Sequence, residues 1–308
     1  MTRPHYRIGI DLGGTKIEGL ALDATNSVAA GPLRTATPRD DYGATLVAIA
    51  RLIEQLEAAL PATDTAATVG IGIPGSITRT TGLVQNANST WLNDQPLLRD
   101  LETSLARPVR LANDANCFAL SEAIDGAGAH AHCVFGVILG TGCGGGVVIA
   151  RQLVDGPRGI GGEWGHNPLP WPRPDESPGP RCWCGRHGCM ETWVSGPALE
   201  AHYEVAAGAT LSPANIAVAA ATGDACAAEV LRRHVDQLAR GLAHVINIID
   251  PDVIVLGGGL SNLDHLYDQL PSAIAAHLFT SDPTVTIRRP HWGDSGGVRG
   301  AAWLWDAE

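Results

Sequence analysis

Short apolar runs bounded by glycines alternate along the chain with longer stretches in which apolar residues recur every three or four positions. The run Arg7–Leu12 predicts a strand, and Ile17–Leu22 predicts a returning strand after the turn GGTK. Val69–Ile73 predicts another strand, which ends at the residues PGS. Between these runs, one helix face is predicted by the spacing of Leu46, Ile49, Ile53, Leu56 and Leu60.

The spacing of apolar residues changes from a strand pattern to a helix pattern in the middle of the chain, at a point that bears on function. Val109–Ala112 predicts a strand, and the apolar positions within Cys117–Ile124 share one face of a helix. Asn113 and Asp114 therefore fall at the strand-to-helix junction, where a polar side chain commonly caps the helix.

A second strand, glycine turn and strand follow, with the glycine segment GTGCGGG between Val134–Leu139 and Val147–Ala150. This resembles the first hairpin and suggests two related halves. Val230–Ile249 predicts a long helix, followed by a buried strand in PDVIVLGGGLS. Alternating strands and helices predict an α/β fold. We predict an N-terminal domain over residues 1–117, with residues 296–308 packed back on it, and a larger domain over residues 118–295.

Composition and charge narrow the class of protein. The chain has 308 residues and a formal net charge of -11, with no Lys/Arg-rich run, so nucleic acid is not expected as a partner. The N-terminus lacks the pattern of a signal peptide. Cys133–Ala150 is uncharged over 18 residues, but its six glycines indicate strands and a loop rather than a membrane span. We expect a cytoplasmic enzyme whose seven cysteines are reduced or bind metal.

Three glycine loops are candidates for binding phosphate, because glycine allows backbone N–H groups to approach an anion closely. They are centred on Gly13-Gly14-Thr15, on Gly140–Gly146 and on Gly257-Gly258-Gly259. The second loop matches G-x-G-x-x-G, but a strand follows it where a dinucleotide fold requires a helix, so we reject that interpretation. Asp11 directly precedes the first loop, where a carboxylate suits a Mg²⁺ site.

Asp114 has two interpretations. It is a helix cap, a role that Asn113 could equally fill, or it is a general base that accepts a hydroxyl proton during phosphoryl transfer. The helix dipole favours its ionised form in either case.

The segment CWCGRHGCMETW concentrates three thiols, at Cys182, Cys184 and Cys189. Three interpretations of this segment are open: a zinc-binding module that contacts nucleic acid, a redox switch, or a loop held by a metal ion that serves an active site elsewhere. Zinc requires four ligands, and we favour His166 over His187 as the fourth, because His187 lies inside the tight loop. A redox switch is not favoured, because no C-x-x-C pair is present.

Glu163 and Glu191 flank the predicted metal site in the sequence, one just before His166 and one just after Cys189. A metal that joined the two segments would bring both carboxylates close together. Carboxylates held at fixed positions suit a polyol, whose hydroxyl groups need directional acceptors.

These motifs together resemble the ROK family of sugar kinases, which has the actin-like, ribonuclease-H-like ATPase fold with two α/β domains around a nucleotide and sugar cleft. The resemblance covers nearly the whole chain through DLGGTK (11–16), GIPG (72–75), NDAN (113–116), LGTGCGGG (139–146), GEWGH (162–166), CWCGRHGCMET (182–192) and LGGGLS (256–261). The spacer between His166 and Cys182 is longer than this resemblance would lead us to expect, because of the Pro-rich segment Trp171–Pro180.

The resemblance implies a role for each motif residue. Asp114 would be the catalytic base and contact the sugar, with further sugar contacts from Gly75, Asn88, Asn113, Glu163, His166 and Glu191. The phosphates and Mg²⁺ would lie at Asp11, Gly13, Gly14, Thr15, Lys16, Thr141 and Gly142. Adenosine would lie along Gly257, Gly258 and Gly259. A structural zinc would be held by His166, Cys182, Cys184 and Cys189.

On the same resemblance we predict an ATP-dependent hexose kinase that phosphorylates a primary hydroxyl of fructose, because NANSTWLNDQP (86–96) looks most like the fructokinase and mannokinase branch. N-acetylglucosamine kinase is the alternative within the family, and a non-catalytic transcriptional regulator is the alternative of another class. Sugar and ATP are the expected partners, Mg²⁺ and zinc the expected metals, and a homodimer the expected assembly.

Overall fold

The computed structural model describes residues 6–62 and 65–305, so residues 1–5 and 306–308 of the predicted N-terminal domain lie outside the described residues. The strands are β1 (Arg7–Leu12), β2 (Lys16–Leu22), β3 (Val28–Ala36), β4 (Thr68–Ile73), β5 (Ser76–Ile77), β6 (Val84–Gln85), β7 (Val109–Asn113), β8 (Cys133–Leu139), β9 (Cys143–Ile149), β10 (Gln152–Leu153), β11 (Val253–Gly257) and β12 (Ile287–Arg288).

The helices follow the predicted periodicities where those were found. They are α1 (Tyr42–Ala59), α2 (Leu97–Leu105), α3 (Asp114–Ile124), α4 (Glu191–Val194), α5 (Gly196–Ala207), α6 (Pro213–Ala221), α7 (Ala225–Ile249), α8 (Asp264–Ala275) and α9 (Gly296–Ala302). Among the described residues no single helix is long and apolar enough to cross a membrane; α6 and α7 pass that test only as a pair bent by 120°.

Two five-stranded sheets have the same topology. The first has the order β3-β2-β1-β4-β7 and the second the order β10-β9-β8-β11-β12. In each, a hairpin supplies two antiparallel neighbours, and the strands on the other side pair in parallel. The two halves predicted from the glycine hairpins are therefore present as a structural repeat.

The second hairpin differs from the prediction in one respect, because β9 begins at Cys143 and includes the glycines assigned to the loop. Gly146 pairs with Gly136 across the hairpin. A Cβ atom at Gly146 would lie 2.8 Å from the Cβ of Ala119 on α3. These glycines therefore serve close helix-on-strand packing as well as the turn.

Two helices lie between the sheets and pack against each other. Helix α9 packs on β1 and β4 of the first sheet, and α3 packs on β8 and β9 of the second. Their apolar side chains form a buried cluster that joins the two halves and includes Cys117, Phe118, Val298 and Ala301. Helix α3 is continuous through residue 117, so the chain crosses between the halves in a helix. The division at residue 117 stays a prediction.

The carboxyl ends of parallel strands meet at one edge of each sheet. In the first sheet these are the ends of β1, β4 and β7, and in the second the ends of β8 and β11. Side chains and loops that follow these strands are brought together there, as is usual for ligand sites in α/β sheets. Every motif region quoted above except the cysteine segment lies at or beside one of these ends.

Candidate active site

Asn113, and not Asp114, caps helix α3. The Asn113 Oδ1 atom accepts hydrogen bonds from the N–H groups of Ala115 at 2.9 Å and Asn116 at 3.3 Å. Its Nδ2 atom donates to the carbonyl oxygen of Gly75 at 3.1 Å, which ties the end of β7 to the turn after β4. The cap is therefore filled, and Asp114 remains available for chemistry.

Asp114 is the first residue of α3 and is exposed as a residue, although the surrounding protein still desolvates its carboxyl group. One of its oxygens accepts the N–H of Ala115 at 2.8 Å. Desolvation by the surrounding protein raises the pKa of Asp114, and hydrogen bonds with Ala115 and Asn113 oppose that rise. A carboxylate whose pKa is raised in a cleft is a suitable general base.

Asp11 lies near the carboxyl end of β1, one residue before the strand ends. Desolvation and the negative charges of Asp114 and Glu18 raise the pKa of Asp11 to about 7, with Lys16 opposing them. The influence of Asp114 shows that the two carboxyl groups share one electrostatic environment. Such pairs are typical of sites that bind a cation.

The first glycine turn is held by a hydrogen bond within its own backbone and by a hydrogen bond from Thr37, the residue directly after β3. Gly13 N–H donates to the Lys16 carbonyl at 3.0 Å, and the Thr37 hydroxyl donates to the Gly13 carbonyl at 2.7 Å. Gly14 and Thr15 are exposed at the tip. The Lys16 ammonium group, predicted to face phosphate, pairs with Glu18 at 3.0 Å.

The second and third glycine loops lie side by side, because β8 and β11 are parallel neighbours. Thr141 is exposed at the tip of the β8–β9 turn, where Gly140 N–H donates to the Gly142 carbonyl at 3.0 Å. Gly257 ends β11 and is buried, whereas Gly258 and Gly259 are exposed. The predicted phosphate and adenosine loops thus form one continuous rim on the second half.

Glu163 precedes a single 3-10 turn, Trp164–His166, beside the cleft. Desolvation raises the pKa of Glu163; the positive charge of His166 opposes this, and the negative charges of Asp114 and Glu191 add to it. The structure therefore brings together Asp114, Glu163, His166 and Glu191, which the sequence separates by up to 77 positions.

Glu191 begins α4 and is held at both carboxylate oxygens. Its Oε2 atom accepts the N–H of Cys143 at 3.1 Å, and its Oε1 atom accepts the indole N–H of Trp183 at 2.7 Å. A Cβ atom at Gly142 would lie 2.7 Å from Oε2, so a larger residue there would displace the carboxylate from this position. Cys143 and Trp183 were missed by sequence reasoning, because neither contact has a local sequence signal.

Asn88 and Gly75 lie on the first-half side of the cleft. Gly75 adopts a φ of +72° in the turn before β5, and its carbonyl receives the Asn113 hydrogen bond described above. Asn88 is exposed, and its neighbour Ser89 places a hydroxyl group 3.5 Å from the position of a Cβ at Gly14. The turn that carries Asn88 therefore abuts the first glycine turn.

The cysteine segment folds back onto His166. His166 Nδ1 lies 3.5 Å from Cys182 Sγ, and Cys184 Sγ lies 3.6 Å from Cys189 Sγ. All four candidate ligand atoms lie within 4.8 Å of one another. By contrast, His187 Nδ1 contacts the carbonyl oxygen of Gly179 at 3.2 Å. The cluster thus contains the histidine favoured from the sequence.

This donor set fits zinc. Four ligands bound tetrahedrally at about 2.3 Å lie about 3.8 Å apart, close to the separations within the cluster. Desolvation raises the pKa of the thiols of Cys182 and Cys189, the latter to about 12, whereas a backbone hydrogen bond of Arg186 lowers that of Cys184. A bound cation would stabilise all three as thiolates.

The sequence model that describes the ROK family matches residues 7–308 of this chain. The chain belongs to the ROK family. It is 40% identical over 303 residues to an N-acetyl-D-glucosamine kinase of Pasteurella multocida, covering 97% of this chain and 98% of that protein. Further N-acetyl-D-glucosamine kinases match at 38 to 40% identity over 96% of the chain.

Solved ROK structures share the fold. A ROK hexokinase from Thermus thermophilus superposes with a TM-score of 0.83 at 31% identity, over 96% of each chain. A ROK glucokinase from Streptomyces griseus, solved with glucose and AMPPNP, superposes with a TM-score of 0.78 at 28% identity, over 97% of this chain and 98% of that one. The predicted actin-like α/β fold is confirmed.

The prediction of a fructokinase is wrong, because the relatives that match nearly the whole chain at 38 to 40% identity are N-acetyl-D-glucosamine kinases. The structure gives a physical reason. In the segment used for that assignment, the Asn93 side chain accepts the N–H of Ala87 and donates to its carbonyl, both at 2.9 Å. Asn93 therefore serves to hold a turn, and its presence carries little information on which sugar is bound.

Proposed function

We propose that this ROK protein is an ATP-dependent N-acetyl-D-glucosamine kinase. The identity of 40% to an N-acetyl-D-glucosamine kinase along nearly the entire chain supports the substrate. The observation that carries the reaction type is the position of Asp114. Asp114 is exposed, its negative charge acts on Glu163 together with the charges of His166 and Glu191, and its helix is already capped by Asn113.

In the proposed reaction Asp114 accepts the proton of a primary sugar hydroxyl. That oxygen forms a bond to the γ-phosphorus of ATP while the bond from phosphorus to the β,γ-bridging oxygen breaks, giving sugar phosphate and ADP. Phosphoryl transfer depends mainly on positioning and charge neutralisation, so a carboxylate does not need an unusually high pKa to serve as the base. Mg²⁺, when bound with ATP, would neutralise charge on the phosphates.

The remaining residues of the site would bind and orient the sugar and the nucleotide. Glu163, Glu191, His166, Asn113 and Asn88 would hold sugar hydroxyl groups, with the backbone near Gly75. Asp11 and the turn through Gly13, Gly14, Thr15 and Lys16 would face the phosphates and Mg²⁺ together with Thr141 and Gly142, while Gly257, Gly258 and Gly259 would border adenosine. Zinc at His166, Cys182, Cys184 and Cys189 would have a structural role, since four protein ligands leave no open position.

The test is ADP release by the purified protein with Mg-ATP and, in turn, N-acetylglucosamine, N-acetylmannosamine, glucose, mannose and fructose. We expect kcat/KM to be greatest for N-acetylglucosamine. Asp114→Asn should reduce kcat by at least about 100-fold. Asp282→Asn, on an exposed turn, serves as the matched control. A preference for another sugar would overturn the proposed substrate. No turnover with any sugar would favour the alternative of a non-catalytic regulator.

A further inference from the structure

Trp183 lies between two of the predicted zinc ligands, Cys182 and Cys184, and its side chain points out of the cluster. It is 61% exposed, which is unusual for the largest of the apolar side chains. An exposed tryptophan beside a cleft commonly contacts a ligand, since its ring is apolar and its N–H group is a hydrogen-bond donor.

The indole of Trp183 is nevertheless fixed by two contacts. Its N–H donates to Glu191 Oε1 at 2.7 Å. Its ring meets the His166 ring edge-to-face, with centroids 5.0 Å apart and planes at 86°. Both partners are residues to which the proposed function gives sugar contacts. Trp183 therefore contacts two side chains that the proposed function assigns to the sugar, one within the cysteine cluster and one beside it.

The hydrogen bond from Trp183 completes the orientation of Glu191. The other carboxylate oxygen is held by the N–H of Cys143, which follows the glycine turn Thr141-Gly142. Without Trp183, the carboxylate could rotate about its last side-chain bond while keeping only that contact. A hydrogen bond to a charged acceptor is stronger than one between neutral groups, so its loss should loosen Glu191 measurably.

We infer that Trp183 is a further sugar-site residue, with an indole N–H that positions Glu191 and an exposed ring that forms one wall of the sugar pocket. This inference rests on the proposed function and assigns it a residue outside the motif positions. The apolar ring would pack against the C–H groups of the sugar, and the carboxylate of Glu191 would accept its hydroxyl hydrogens.

Two substitutions separate the two roles. Trp183→Phe keeps a ring and removes the N–H, so we expect KM for N-acetylglucosamine to rise about tenfold, with kcat and KM for ATP changed by less than about twofold. Trp183→Ala removes the ring as well, and should raise KM for the sugar at least about fivefold further. Zinc content, measured on both variants, should equal that of the wild type.

Trp171→Phe is the matched control, because Trp171 is 54% exposed in the adjacent Pro-rich segment and stacks on His277. It should leave the kinetic constants unchanged. An unchanged sugar KM in Trp183→Phe would overturn the positioning role. If Trp183→Ala had the same KM for the sugar as Trp183→Phe, the proposal that the ring forms a wall of the sugar pocket would be wrong.

A readout without substrate distinguishes this inference from the proposed function. In protein labelled with ¹⁵N-tryptophan, the Trp183 indole signal is the one that disappears in Trp183→Phe. We expect it at low field in the wild type, and at higher field in Glu191→Ala. A signal that does not move in Glu191→Ala would overturn the inference. A signal that moves in a protein without activity on amino sugars would overturn the proposed function alone.

Discussion

Asp11 is the next-to-last residue of β1, and Asp114 directly follows β7 of the same sheet, with only β4 between these two strands. The second carboxyl group follows its strand directly as the first residue of α3, so both reach the same edge of the sheet. Burial and the charge of Asp114 together raise the pKa of Asp11 to about 7. The arrangement concentrates negative charge where the proposed function requires a magnesium-bound triphosphate.

This raised pKa predicts how stability depends on pH. The pKa of Asp11 is 3.8 when unfolded and about 7 when folded, so its ionised form destabilises the folded state. The penalty develops as the pH rises from 3.8 and is complete above about 7. Asp11→Asn removes it, so urea denaturation without ligands should show the variant gaining stability over the wild type from pH 4.5 to pH 8. A constant difference would contradict the prediction.

Zinc removal should affect the sugar site before the nucleotide site. The metal would join His166 to the Cys182–Cys189 segment and so fix Trp183 and Glu191, whereas the glycine loops are held by backbone hydrogen bonds. After treatment with a chelator, calorimetry should show at least about tenfold weaker sugar binding, with ADP binding changed only slightly, and zinc should restore the difference. Full sugar affinity in metal-free protein would refute this account.

A buried ion pair attaches the Pro-rich segment to α7. Glu176 and Arg240 are 1% and 4% exposed and lie 2.8 Å apart, and Arg240 also donates to the carbonyl oxygens of Pro170 and Trp171. Desolvation would raise the pKa of Glu176, but hydrogen bonds from Arg240, the Arg173 backbone and Gln237 lower it to about 2. Arg240→Met should reduce the free energy of unfolding by about 3–5 kcal/mol, because it leaves the Glu176 carboxylate without its cation.

The double variant Glu176→Gln/Arg240→Met is the control for this pair. It removes both charges and should recover part of the loss in chemical denaturation. Glu229→Gln, at an exposed pair with Arg232 on the same helix, should change stability by less than about 1 kcal/mol. If Arg240→Met were as stable as this surface variant, the segment would not depend on the ion pair.

The crossing of α9 and α3 depends on Gly300. A Cβ atom at this position would overlap the carbonyl oxygen of Cys117, which belongs to the backbone of α3 and cannot move aside cheaply. Gly300→Ala should therefore destabilise the protein by about 3 kcal/mol or more. In thermal denaturation, the matched variant Gly43→Ala, in α1 with only a side-chain oxygen 3.7 Å from the new Cβ, should be neutral or slightly stabilising. Equal midpoints for the two variants would contradict this prediction.

Local features of the sequence were sufficient for most of the longer strands of the central sheets. The strand predicted at Arg7–Leu12 has those bounds in the structure, and the helix predicted after Asn113 starts at Asp114. Both depend on interactions between residues close in the chain, namely apolar patterning and capping. Strand β3 was not predicted, because most of its residues are exposed and it lacks an apolar run. The strands β5, β6, β10 and β12 were also not predicted, because two-residue pairings carry too little pattern.

The sequence by itself determined the chemistry that is available: the glycine turns, the carboxylates that follow strands, and three thiols with a histidine. Its short-range patterns placed them on an α/β framework, and its family motifs suggested their roles. Only the tertiary structure decided which groups meet. It brought Cys143 and Trp183 to the two oxygens of Glu191, Arg240 to Glu176, and α9 to α3, through contacts between residues far apart in the chain.

The substrate was predicted wrongly from the sequence for the same reason. Hexoses differ in one or two groups, so discrimination among them depends on the shape of the pocket that distant segments form together. In the motif used to choose between them, Asn93 holds a local turn through its hydrogen bonds with Ala87. Short-range patterning can specify an element and its chemistry, whereas the distances between elements are set by packing across the whole chain.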